Sequence, residues 1–292
     1  MKLKLITCAL CSVLSVSAYA ATQSSGTLMQ NSVSLGKPSA GEVKSLDTKN
    51  KLSNGFIIAQ GTPLSIKFLD ECWDARENLN NQKVIADYLM TMPNVPEDYE
   101  TAWKTARLVY FIGNYGAGET RFVDSKEGVK LFNYGAEAGK IAYKINGKSV
   151  EGYYWYAIDL GSYGLAKGIL SAAANAGDGM DALKKAKEID PTYHWYGSSR
   201  ILGRYYQELP GIFGGSSKKA LKLFMDATDK SAGFNNNWIF LGQFYNSRKE
   251  YAHGIDACKK ALSLPKLDGR FEEERYRREA KSCIDYAKSK LN

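Results

Sequence analysis

The chain has 292 residues, 44% hydrophobic, 24% charged and 12% aromatic, with 7 prolines and a formal net charge of +8. This is a globular composition with enough apolar side chains for a sizeable core, which excludes a disordered, collagen-like or disulfide-knot protein. With only two histidines, a polyhistidine metal site or His-rich acid–base chemistry is not expected, and no run of roughly 18 apolar residues offers a bilayer span.

Met1-Lys2-Leu3-Lys4, the apolar run Leu5 to Val16 and Ala18-Tyr19-Ala20 stand in the order of a charged n-region, an h-region and an A-x-A cleavage site. Residues 1–20 are therefore expected to be a cleaved signal peptide, and the mature protein to be periplasmic. The C-x-x-C formed by Cys8 and Cys11 is lost with that segment. Export makes nucleic acid an unexpected partner, so the remaining basic excess reads as a solubilising surface. Residues 21–62, rich in Ser, Thr, Gly, Asn and Lys, read as a flexible leader to a helical domain spanning 63–292.

Beyond Pro63 the prolines fall only at positions 93, 96, 191, 210 and 265, and the stretches between them carry apolar residues at three- and four-residue spacing. The first helical unit, Ile66 to Met92, has the faintest grammar. Next come an aromatic-anchored helix with Trp103 and Tyr110, then Gly128 to Phe132 with Gly135. Tyr153 to Tyr156 leads to Leu160-Gly161, whose partner helix offers Leu183 and Ala186 before Pro191. Leu202-Gly203 with Tyr206 is followed by Ala220 to Phe224 and Ala227. Trp238 to Tyr245 then matches W-x2-L-G-x2-Y in full, followed by Gly254, Cys258 and Ala261.

These are the marks of tetratricopeptide helix pairs. Small residues at fixed positions let the two helices of a unit approach, while aromatic rings fill the space between units. The expectation is an all-α solenoid of four to five such pairs, closed by a solvated capping helix over Phe271 to Leu291, with Glu273–Arg277 and Glu274–Arg278 at i,i+4. Asp178 and Ser216 are the expected N-caps of two second helices. If the last hairpin turns near Lys266 to Gly269, Cys258 faces about residue 277. Cys283 then lies some 9 Å further along the axis, beyond about 9 Å of interaxial gap, so a Cys258–Cys283 bridge is not expected.

Catalytic templates fail. Gly116-Ala117-Gly118 has Arg121 where a dinucleotide loop needs its third glycine, Gly211 to Lys218 lacks Walker A spacing, and His194 and His253 have no ligand-type neighbours. No catalytic residue, cofactor or metal is assigned. Aromatic density and two arginines stand out instead. Concave-facing positions in the first helices select Gly197, Arg200 and Arg204, then Asn236, Ile239 and Gln243. Together with Tyr154, Trp155, Trp195 and Tyr196 these are the candidate ligand- or partner-binding residues, able to clamp a carboxylate from a peptide terminus or an organic acid. The competing reading makes the rings inter-unit packing and pairs the arginines with Glu188, Asp190 or Glu208.

The run Tyr153 to Ala157, Leu160-Gly161, Asp190 to Tyr193, Arg200 to Tyr206, Leu209-Pro210-Gly211 and Gly214-Gly215 resembles the T-component of TRAP-type transporters. That resemblance implies a periplasmic accessory that associates with the solute-binding protein, forms a trimer, and holds or passes a small organic or apolar ligand. The alternative is a general tetratricopeptide adaptor that docks peptides in cell-envelope assembly.

Overall fold

A computed structural model of the protein describes residues 51–58, 62–115, 125–266 and 271–291. The expected signal peptide, the C-x-x-C within it, most of the expected leader, and the Gly116 to Arg121 segment lie outside the described residues. Among those described there are eleven α-helices and no strand, only an isolated antiparallel bridge between Lys51 and Ile57.

Two short helices, α1 (Ile66–Asp74) and α2 (Leu79–Leu89), both pack on α3 (Tyr99–Tyr115), which opens four consecutive antiparallel pairs: α3 with α4 (Lys126–Ile145), α5 (Val150–Lys167) with α6 (Ile169–Ile189), α7 (Tyr193–Glu208) with α8 (Ser217–Lys230), and α9 (Asn235–Ser247) with α10 (Tyr251–Ser263). A last helix, α11 (Phe271–Leu291), packs on α10. Helix starts are written into the sequence: Ser65 accepts from the Phe68 amide at 3.2 Å, Ser125 from Gly128 at 2.9 Å, and Ser216 from Lys219 at 3.3 Å. The expected cap at Asp178 is displaced, because α6 begins nine residues earlier and leaves Asp178 exposed in mid-helix. The alanine-rich run Ser171 to Ala176 carries the helix back to Gly168, whose φ of +111° lets α5 and α6 join through this single residue.

The small-residue grammar is visible as contact. A Cβ on Gly203 of α7 would meet the Phe224 ring of α8 at 2.8 Å, and one on Gly152 of α5 would meet the Tyr143 backbone nitrogen of α4 at 2.5 Å. Four apolar clusters follow one another along the stack, as expected when each unit buries its face only against its neighbours. The first takes in Leu52 and Ile58, each 2% exposed, against Phe68 and Leu69. This end of the expected leader is therefore built into the core.

The Cys258–Cys283 pair corrects the sequence expectation, for the two are disulfide-bonded with Cα atoms 6.4 Å apart. The last two helices are not related by the symmetric turn which that expectation assumed. Leu264 leaves α10 in extended conformation, and Arg277 donates to the carbonyls of Leu262 at 3.0 Å and Leu264 at 2.9 Å. The first two turns of α11 thus project past the end of α10, which slides Cys283 back to Cys258. Those turns are not solvated as expected: Glu273 is buried, and Glu272 approaches Arg76, just beyond α1, at 4.0 Å. The two ends of the solenoid meet.

Candidate functional site

Helices α1, α3, α5, α7 and α9 share a concave face, and the N-terminal half of α11 lies across it. Together they enclose a cavity of about 400 Å³. Trp73 and Arg76 come from α1 and its C-terminal end, Arg107, Tyr110 and Phe111 from α3, and Tyr154, Trp155 and Ile158 from α5. Tyr193 to Trp195, Arg200 and Ile201 come from α7, with Phe234, Asn236 and Phe240 from α9 and its cap. Glu272, Glu273, Arg275, Tyr276 and Glu279 come from α11.

The rings form a continuous wall. Tyr110 lies 5.7 Å from Trp155, Trp155 donates through Nε1 to the Tyr193 hydroxyl at 2.9 Å, and Tyr154 meets Trp155 and Tyr193 edge-on at 5.0 and 5.1 Å. Trp195 stacks flat on Phe234 at 4.6 Å, and Phe234 meets Tyr276 edge-on at 5.9 Å. Burial pushes the phenols of Tyr110, Tyr154 and Tyr276 up and carries that of Tyr193 to about 12, so all four are neutral at physiological pH.

The head of α7 is strained. His194, Trp195 and Tyr196 take left-handed backbone conformations with φ of 51°, 55° and 59°, each costing about 1–3 kcal/mol in a non-glycine residue. The excursion turns the His194 ring between Tyr154 and Trp155 and leaves Trp195 40% exposed at the cavity rim.

Arg200 is 2% exposed. It donates to Asn237 Oδ1 at 2.7 Å and the Trp195 carbonyl at 3.3 Å, meets His194 Nδ1 at 3.3 Å, and sits over the Phe234 ring. At the far wall the guanidiniums of Arg76 and Arg107 each lie 3.9 Å from the centroid of Trp73. Burial lowers the pKa of Arg107, and repulsion from Arg76 adds to this while Tyr193, Asp70 and Asp74 oppose it.

Of the residues singled out from sequence, Tyr154, Trp155, Trp195 and Arg200 converge on this cavity, joined by Asn236. Tyr196, Arg204 and Gln243 are not among its lining residues: Arg204 donates to Gln243 and pairs with Glu208 at 3.5 Å. Ile239 is core. Sequence reasoning missed Trp73, Arg76 and Arg107 and the whole α11 wall. Arg107 stands at i,i+4 from Trp103, a pairing that marks a shared helix face. Nothing in the repeat grammar places α11 across the channel.

Paired helices stacked with their first members lining one concave channel define a tetratricopeptide-type solenoid. The thermophilic TPR protein TTC0263 of Thermus thermophilus has this fold, with a TM-score of 0.52 at 17% identity over 77% of this chain and 99% of that one. The crystal structure of MamA aligns with a TM-score of 0.40 at 17% identity over 73% and 98%. No curated protein sequence matches the chain. The chain belongs to the regulator of microtubule dynamics protein 1-3 family, whose model matches residues 66–288, from the first residue of α1 into the last turn of α11.

This membership overturns the resemblance to TRAP transporter T-components, which leaves the expected solute-binding partner and trimer without support. The Tyr193 to Gly215 stretch that carried the resemblance is largely helix-pair grammar. Leu-Gly followed by Tyr, and small residues facing rings, serve the same close packing in any tetratricopeptide unit and do not separate one family from another.

Proposed function

We propose that the protein is a non-catalytic interaction scaffold that docks an extended segment of a partner protein along its concave channel. The observation that carries this reading is the convergence of α1, α3, α5, α7 and α9 on one aromatic, arginine-bearing channel with Trp195 exposed at its rim. Trp, Tyr and Arg are the residues in which interface binding energy concentrates. The channel also has room for a small organic ligand beside a peptide side chain.

The Cys258–Cys283 bond supports a location in an oxidising compartment, in keeping with the signal-like N-terminus. An adaptor working in the cell envelope fits both. Among the described residues, no helix is long and apolar enough to cross a membrane.

The test is selection of peptides from a random library against the full chain. Their affinity is expected to fall at least tenfold in Trp195→Ala with helicity unchanged. Peptides that bind this variant as well as the parent would remove the channel from the proposal.

A further inference from the structure

Two cations of the cavity lack an anion among the described residues. The acids beside them are engaged: Glu273 pairs with Arg277 at 2.7 Å and accepts from Asn235 at 2.6 Å, Glu279 pairs with Arg275 at 2.5 Å, and Glu272 faces Arg76. Arg200, almost wholly buried, has no described carboxylate within ion-pair distance, and its Nε is without a hydrogen-bond partner among the described residues. Half-buried Arg107 forms no ion pair or hydrogen bond with any described residue; it stacks on Trp73 and, at 4.9 Å, Trp103, and feels Asp70 and Asp74 only at longer range.

The Arg200 guanidinium, taken out of water without a counter-charge within ion-pair distance, works against folding, while Arg107 is half-buried. Conflicts of this kind between local chemistry and stability concentrate where a bound group completes the site. The planar fork of arginine matches a carboxylate, and the remaining wall of the cavity is mostly ring faces and edges, against which a flat ring packs in offset or edge-on contact. The volume of about 400 Å³ lies in the range of small-molecule sites.

We infer that the cavity binds a small aromatic carboxylate, its carboxylate received by Arg107 and its ring lodged among Trp73, Trp155 and Tyr193, within the positive field of Arg200. The inference stands apart from peptide docking along the channel, since it concerns only the enclosed part of it. A partner's exposed segment and a free organic acid are different ligands, and the test below separates them.

The test is a titration of the full chain with naphthalene carboxylate, followed by tryptophan fluorescence, beside its neutral carboxamide, inorganic phosphate, and a peptide ending in phenylalanine with a free carboxylate. The acid is expected to bind saturably and at least tenfold more tightly than the amide, and to outcompete both phosphate and the peptide. Arg107→Met is expected to abolish the preference for acid over amide while the melting temperature changes little, because the half-buried guanidinium has no described ion pair or hydrogen bond to lose. Arg107→Lys, which keeps the charge and loses the fork, is expected to retain part of the preference. Equal binding of acid and amide to the unaltered protein overturns the site with no variant needed. An undiminished preference in Arg107→Met, or tighter binding of phosphate or the peptide, overturns it equally.

Discussion

Cys283 lies opposite Cys258 with Cα atoms 6.4 Å apart, although the two are 25 residues apart in the chain and the second sits within a helix that overshoots its partner. The bond pins α11 to α10 and so holds the first turns of α11 across the channel. A loop of this length adds about 3.5 kcal/mol to stability in the chain-entropy account. The Cys258→Ser, Cys283→Ser double variant, or reduction of the parent, is expected to lower the urea midpoint accordingly. Cys72 is expected to stay unmodified by thiol reagents until the protein unfolds, since burial pushes its thiol up to about 12.

Asp159 is fully buried in α5, and neither carboxyl oxygen has a hydrogen-bond partner among the described residues. Burial raises its pKa well above 3.8, so the folded state keeps a proton that the unfolded chain releases. Between those two values the folded protein binds more protons, and stability falls as pH rises. Denaturant titrations at several pH values should show stability declining upward from about pH 4, with a shallower decline in Asp159→Asn.

Glu208 adds a narrower window of the same sign. Burial raises it to about 6 from 4.5 against the opposing pull of Arg204, so stability is lost as pH climbs through that interval. Glu208→Gln should flatten that part of the profile and leave the Asp159 contribution in place.

Tyr196 is the last of the three left-handed residues at the head of α7 and is half-buried. Glycine takes that conformation without steric penalty but loses more entropy on folding. The balance favours Tyr196→Gly by about 1 kcal/mol, read as a raised midpoint in thermal denaturation. A fall in the midpoint would show that the ring's contact with Lys230, 5.7 Å away, outweighs the strain.

At Gly152 the backbones of α4 and α5 are too close for a methyl group. Gly152→Ala is expected to cost about 1–3 kcal/mol as overpacking, more than the gain in helix propensity restores. Chemical denaturation checks this, and an unchanged midpoint would contradict the role given to small residues between paired helices.

The repeat class was legible because its signals are local. Trp238 to Tyr245, Leu202-Gly203 and Ala220 to Phe224 report packing between neighbours in the chain, and Ser216 announces a helix start within four residues. A part of the cavity was legible for the same reason, since Arg200 and Asn236 follow from register within a unit and Tyr154, Trp155 and Trp195 from local aromatic density. Arg204 and Gln243 fit that register too, yet they satisfy each other and Glu208 away from the cavity. The rest depends on contacts made far along the chain. Trp73 joins Arg107 across 34 positions, and Arg76 joins Glu272 across 196. A helix pattern carries no information about where a superhelix closes. Family assignment failed at the same level, because the motifs available were those that every helix pair needs.

Most helical arrays can drop or duplicate a unit and simply become shorter or longer. The approach of Arg76 to Glu272 removes that freedom here. One unit fewer would leave the ends unable to reach each other, and one more would carry them past, so the number of repeats is fixed by the chamber they surround.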